Sequence, residues 1–229
     1  MPSEPKPFTV DVTETESVTA ILYPAAKTAR LAVTMVLGHG AGANQNSSFM
    51  RLVATGLAAR GFDVVTFNFI YSERHRGAPD PKAKLEACYS AVMNSVRGHR
   101  QLKTNRLVIG GKSMGGRIAS QVAAAGETEI LGLVYLGYPL HPPGRPEQMR
   151  DAHLKSIRAP MLFVQGSRDA FGTPEELRPV IKAGKLRATL YVIEGGDHSF
   201  KVPKRGGVAQ EAIYEQVMDE ILRWVRSQE

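Results

Sequence analysis

Residues 108–120 read VIGGKSMGGRIAS, and two incompatible turns are written into them. The inner Gly-Lys-Ser at 111–113 ends like a phosphate-binding loop, which would make Lys112 a phosphate ligand. The wider Gly111-Lys112-Ser113-Met114-Gly115 is a G-x-S-x-G, which would make Ser113 a nucleophile. A phosphate loop needs G-x-x-x-x-G-K-[ST], and its first glycine would fall on Arg106. Residues 107–109, Leu-Val-Ile, are strand-forming and leave no slack for backbone N–H groups to wrap a phosphate. The second reading has what it needs. RLVIGG at 106–111 is a strand and MGGRIAS at 114–120 opens a helix, so Ser113 stands at a sharp strand-to-helix turn. Gly111 and Gly115 flank it two residues away on either side, where side chains would crowd the turn, and Gly116 adds clearance. The positive end of that helix supports negative charge developing beside Ser113.

A serine nucleophile needs a base, and the base needs a carboxylate to orient it. In a strand-turn-helix setting the chain order is Ser, then Asp or Glu, then His. Asp169 follows the strand MLFVQG in QGSRDAFG, and His198 follows the strand TLYVIEGG in EGGDHSF. Both lie at the carboxyl ends of strands, in the required order. His75 and His99 precede Ser113, and His153 lies in a polar stretch that reads as helical. His141, in YPLHPP, follows a strand end, but no acid at a strand end separates it from Ser113. Glu194 and Asp197 are rivals to Asp169, and Asp197, next to His198, reads as a residue that shapes the turn. Two N–H donors should face the oxyanion. One is Met114, the residue after the nucleophile. The other is expected from LGHGAGAN at 37–44, at Ala41 or at Gly42, with His39 holding that loop by a structural hydrogen bond.

Outward from the turn, the chain alternates strand and helix. SVTAILYP, LAVTMVLGHG, FDVVTFNF, RLVIGG, ILGLVYLGYP, APMLFVQG and ATLYVIEGG read as strands. SSFMRLVATGLAARG, residues 81–99, MGGRIASQVAAAG, PEELRPVIKAG and GVAQEAIYEQVMDEILRWVRSQ read as helices, with Pro81 opening the second and Gly61 ending the first. Such alternation means a mostly parallel sheet with helices on both faces, and a site at the carboxyl ends of the strands. A chain of 229 residues with 43% hydrophobic content suits one domain over 1–229, with 1–6 as a loose end. The segments 71–85 and 138–157 are expected to line the site, through Tyr71, Arg74, Tyr138 and His141, and neither is long enough for a lid domain.

Composition narrows the setting. No apolar run approaches the roughly 18 residues of a membrane span, and the start lacks the apolar core of a signal peptide. The single cysteine, Cys88, cannot form an internal disulfide and reads as a packed helix residue, which fits a cytoplasmic protein. The net charge of +7 comes from dispersed Lys and Arg, the densest cluster being ERHRG at 73–77, so no nucleic-acid partner is expected. No metal-ligand cluster stands out, and no cofactor is expected. Oligomeric state is not written in the sequence.

GHGAGAN, GGKSMGG, GSRDAFG and GGDHSF fall where the α/β-hydrolase superfamily keeps its oxyanion loop, nucleophile, acid and histidine, and the chain resembles that superfamily over essentially its full length. It looks most similar to the small, cap-poor branch near the dienelactone-hydrolase-like proteins. FNFIYSERHRGAPDP also resembles a segment of the subgroup that includes a hydrolase-like subunit of a chromatin acetyltransferase complex. Dienelactone hydrolases proper use a cysteine nucleophile, and Ser113 departs from that. The resemblance implies an α/β-hydrolase fold without a large cap and acyl hydrolysis of a small-molecule substrate, but names no substrate. The contrasting reading is a binding or scaffold protein on a hydrolase fold, which an intact Ser-His-Asp group argues against and a missing pocket would favour.

Overall fold

The computed structural model describes residues 4–126, 129–203 and 209–228. Eight strands form one sheet: β1 (Lys6–Asp11), β2 (Ser17–Tyr23), β3 (Val33–Gly38), β4 (Asp63–Phe67), β5 (Arg106–Lys112), β6 (Gly132–Leu136), β7 (Met161–Gly166) and β8 (Ala188–Ile193). Their order across the sheet is β1-β2-β4-β3-β5-β6-β7-β8. The β1–β2 and β2–β4 pairs are antiparallel, and every pair from β4 to β8 is parallel. The helices are α1 (Ser48–Ala59), α2 (Ile70–Glu73), α3 (Lys82–Gly98), α4 (Met114–Ala124), α5 (Pro174–Ala183) and α6 (Gln210–Arg226). Among the described residues, no helix is long and apolar enough to cross a membrane.

Successive strand residues point to opposite faces, so an unbroken apolar run supplies two cores at once. Val33, Met35 and Leu37 of β3 join Val108, Val134, Leu162 and Val164 under α1 and α6. Val36, Ile109, Leu133, Tyr135 and Phe163 join the opposite core with α3 and α4. Each such side chain contributes about 1.5–3 kcal/mol on leaving water. Of the apolar residues at helical spacing in the sequence of α1, Phe49, Leu52, Val53 and Leu57, the helix buries Val53 and Leu57 together with Met50 and Ala54, while Phe49 is half-buried and Leu52 is exposed. Gly61, at φ +99, turns the chain after α1 back into β4.

Two elements depart from the sequence expectations. The expected loose end at 1–6 already contains Lys6, the first residue of β1. β1 carries little signal because it is an edge strand, with Pro7 near its start and Val10 as its single buried residue. Thr13 Oγ1 closes the hairpin to β2 by accepting the N–H groups of Thr15 at 3.3 Å and Glu16 at 3.1 Å. The helix expected around His153 shrinks to one 3-10 turn, Leu154–Ser156, since the polar residues before it offer no apolar stripe. Of the expected closing helix, Gly207 and Val208 lie outside the described residues.

The turn at Ser113 depends on how closely three backbone segments meet. Gly38 of β3 pairs directly with Gly111 of β5. A Cβ at Gly111 or Gly115 would overlap the backbone of Gly38, and Gly111 also holds a φ of +150. Beneath them the buried Tyr89 hydroxyl accepts the Gly110 N–H at 2.9 Å and lies 2.7 Å from the carbonyls of Val36 and Gly110, to one of which it donates. We therefore expect Gly115→Ala to cost more than about 3 kcal/mol in a denaturant titration, because backbone must move. Gly98→Ala, at the end of α3 with open space around its Cα, should be neutral or stabilising by up to about 1 kcal/mol.

Candidate active site

Ser113 caps α4 at φ 51 and ψ −115, a strained backbone for a residue with a side chain. Its N–H donates to the Leu136 carbonyl at 3.1 Å, which holds the turn against β6. Its Oγ lies 2.8 Å from His198 Nε2. On the other side of the ring, His198 Nδ1 lies 2.8 Å from Asp169 Oδ2 and 2.9 Å from Oδ1. A carboxylate accepts, so the proton sits on Nδ1 and Nε2 is free to accept the Ser113 hydroxyl. A hydroxyl, a ring nitrogen and an orienting carboxylate in this chain can move a proton off the hydroxyl as it attacks.

The loops after β7 and β8 place these groups. Asp169 has no exposed side-chain surface. It also accepts the Phe171 N–H at 2.8 Å and a hydrogen bond from Gln165 Nε2 at 2.8 Å. Gln165 donates in addition to Gly172 O at 2.7 Å and accepts the Tyr138 N–H at 2.8 Å, so one buried amide joins the acid loop to the end of β6. Thr173 and Glu176 form a capping box that starts α5 immediately beyond. The Phe171 ring stacks on His198, with centroids 4.2 Å apart. Asp197 accepts the N–H groups of Ser199 at 2.7 Å and Lys201 at 2.9 Å, so it shapes the turn, while Glu194 is exposed.

Above Ser113 opens a cleft of about 330 Å³, walled by Gly40, Ala41, Ala43, Ser47, Ser48, Phe49, Met50, Lys112, Phe171, His198 and Ser199. Ala41 sits at its edge, and Met114 begins α4 behind Ser113. Among the described residues neither backbone N–H is engaged by the protein, so both remain free for a ligand oxygen. The loop bearing Ala41 is held by the buried His39. Its Nδ1 donates to Gly40 O at 2.9 Å, and its Nε2 accepts the Phe69 N–H at 3.2 Å. Burial lowers the His39 pKa to about 4, which keeps the ring neutral.

The substrate contacts expected from the sequence are not in this cleft. Gly42 and Tyr71 line a neighbouring cavity of about 210 Å³ that shares Ala43 with it. Burial raises the Tyr71 pKa to about 12, and its hydroxyl points toward the Gly42 amide short of full hydrogen-bond geometry. Arg74 reaches away to Glu16 at 2.8 Å. Tyr138 is fully buried and donates to Arg150 O at 2.8 Å. His141 is buried between Pro142 O at 2.8 Å and Glu176 at 3.2 Å. Tyr138 and His141 found partners within the fold because burial left them no water to bind. Phe49, Phe171, Gln165 and Lys112 were missed. Phe171 lies two residues after Asp169, and Lys112 one before Ser113, which was the available signal. Among the described residues, no cluster of His, Cys, Asp and Glu could hold a metal ion.

A family model for the alpha/beta hydrolase domain matches residues 31–226, and the chain belongs to that family. A solved alpha-beta serine hydrolase homologue from Coxiella burnetii superposes with a TM-score of 0.75 at 18% identity, covering 95% of this chain and 96% of that one. An α/β serine hydrolase without lid from Xanthomonas campestris gives 0.75 at 21% identity, over 98% and 96% of the two chains. Dienelactone hydrolase from Anabaena variabilis gives 0.69 at 19%, over 97% and 98%. At such identities the likeness establishes the α/β-hydrolase fold.

His39→Leu removes a donor and an acceptor from the loop. The buried Phe69 N–H then lacks a partner, at about 1–3 kcal/mol, while the Gly40 carbonyl keeps the Ala43 N–H at 3.2 Å. We expect a loss of stability in that range in urea unfolding, together with slower turnover of any substrate held by the Ala41 N–H.

Proposed function

We propose that the protein is a serine hydrolase that cleaves a small carboxylic ester or related acyl compound through an acyl-enzyme intermediate. The observation that carries this is the continuous hydrogen-bonded chain from Ser113 Oγ through His198 to buried Asp169, opening on the 330 Å³ cleft. His198 takes the Ser113 proton as Oγ attacks the carbonyl carbon, and the C=O electrons move onto oxygen. Asp169 fixes the tautomer and stabilises the imidazolium. The N–H groups of Met114 and Ala41 receive the oxyanion. Collapse expels the alcohol, which takes its proton from His198. Water, activated by the same base, then releases the acid and frees Ser113.

The cleft walls favour a compact, apolar acyl group. Ala41, Ala43, Phe49, Met50 and Phe171 offer apolar contact. The 138–157 segment packs on the body through Leu154, Tyr138 and the Ser120–His153 hydrogen bond at 2.7 Å, and none of its residues walls the cleft. The Xanthomonas neighbour is described as lacking a lid, and we read this chain the same way. A reducing aqueous compartment such as the cytoplasm suits buried, unpaired Cys88.

A fluorophosphonate probe tests the whole constellation without a known substrate. It should add to Ser113 alone, as located by peptide mass mapping. Ser113→Ala should fold normally and lose ester hydrolysis by on the order of 10⁴-fold or more. His198→Ala should suppress labelling. A folded wild-type protein that stays unlabelled under conditions that saturate a known serine esterase would support the scaffold reading instead.

Chain length is a separate expectation. Acetate and butyrate esters should be turned over, while emulsified long-chain triglycerides should not, since among the described residues no lid segment walls the cleft to shelter a long acyl chain. The reverse preference in a panel of nitrophenyl esters and triglycerides would contradict the cleft assignment.

A further inference from the structure

Lys112 is a cation in the wall of the cleft, and the proposed reaction gives it nothing to do. It ends β5, one residue before Ser113. Its Nζ donates to the backbone carbonyl of His198 at 2.6 Å, across 86 residues of sequence. The rings of Phe49 and Phe200 cover the ammonium, with centroids 6.0 and 5.9 Å away. A partly buried ammonium is costly, and an apolar side chain of the same length would pack here more cheaply.

We propose that Lys112 is a positioning residue that latches the loop carrying His198 onto the strand carrying Ser113. This rests on the hydrolase reading above. The His198 ring is aimed by Asp169, but its approach to Ser113 Oγ also depends on where its backbone sits. Other ties of that loop run to the acid side. Arg168 N–H donates to Gly196 O at 2.8 Å, and Gly195 N–H to Ser167 Oγ at 2.8 Å. Lys112 supplies the tie to the nucleophile side. A charged donor to a carbonyl is stronger than a neutral one, and it holds a base whose position must be kept within a fraction of an ångström.

The latch should also titrate. Burial lowers the Lys112 pKa to about 8, opposed by the nearby charges of Asp169 and Asp197. The groups facing it are Asp169 from the β7–α5 loop and Asp197 and His198 from the β8–α6 loop. α1 contributes the Phe49 ring, and α6 contributes Tyr214, packed on that ring. Since the folded pKa lies below the free value of 10.5, the charged form costs stability at neutral pH. That cost is relieved as pH rises between the two values, where the unfolded chain binds the extra proton.

The test is Lys112→Met and Lys112→Arg, assayed on a short-chain ester beside wild type and Ser113→Ala. Lys112→Met should raise Tm at neutral pH, lower kcat roughly 10- to 100-fold and leave KM nearly unchanged. Wild-type kcat should decline as pH passes about 8, where Lys112 loses its charge. That decline should vanish in Lys112→Met and move to higher pH in Lys112→Arg, which stays charged. Wild-type kcat in Lys112→Met, or a raised KM at unchanged kcat, overturns the proposal, the latter by making Lys112 a substrate contact. A lowered Tm with the alkaline decline intact overturns it too, by making Lys112 a structural tie. If Lys112→Met does not fold, a wild-type profile flat through that decline is decisive against it. A wild type as inert as Ser113→Ala overturns the hydrolase reading itself, and the positioning role with it.

Discussion

The structure depends on one steric constraint, the approach of β5 and the start of α4 to β3 at Gly38. Backbone meets backbone there with no room for a Cβ at Gly111 or Gly115. The contact fixes the sharpness of the turn, and the turn holds Ser113 at a φ of 51 that an isolated chain would avoid. Such strain persists only where surrounding structure over-determines it. The β3–β5 and β5–β6 ladders, the Tyr89 hydroxyl and the Ser113 N–H bond to Leu136 together do so. Ser113 can stand clear of the sheet because Gly38, Gly111 and Gly115 let backbone meet backbone beneath it.

Two histidines show how environment divides labour between identical side chains. His39 and His198 both carry the proton on Nδ1, one satisfied by a carbonyl and the other by a carboxylate. They differ in what Nε2 meets. His39 Nε2 accepts a backbone N–H from Phe69, a peptide nitrogen that attacks nothing. His198 Nε2 meets a hydroxyl, whose oxygen can attack as it gives up its proton. The first ring is buried and locked neutral, so it braces a loop. The second keeps a partly exposed edge on the cleft and a carboxylate behind it, so it is the ring fitted to shuttle a proton.

The motifs legible in the sequence were those in which backbone geometry dictates residue type. The glycines around Ser113 and the chain order of Ser113, Asp169 and His198 follow from a turn and from strand ends, both of which are local. The strands buried on both faces were legible as unbroken apolar runs. β1 was not, because an edge strand buries one residue and needs no pattern. The substrate-contact expectations for Tyr138, His141, Arg74 and Tyr71 assumed that polar residues near a site face it. Each instead meets a partner, or a second cavity, that only the three-dimensional path of the chain reveals. Gln165 was invisible for the same reason: nothing in MLFVQG says that its last amide will bridge β6 to the acid loop.

Charge balance ties these parts together. In the resting site the buried carboxylate of Asp169 is offset by nearby Lys112, with hydrogen bonds from Gln165 and the Phe171 N–H completing its shell. Under the proposed reaction two new charges appear, an imidazolium and an oxyanion. The imidazolium forms against Asp169, whose hydrogen bonds are already in place. The oxyanion forms where two backbone N–H groups stand free, at the positive end of α4. Neither new charge requires the protein to reorganise, which is the condition under which fixed dipoles lower a barrier most. Lys112 would repel an imidazolium brought too close. Its ammonium is turned onto the His198 carbonyl and covered by Phe49 and Phe200, so it anchors the base through the backbone without touching the ring's proton.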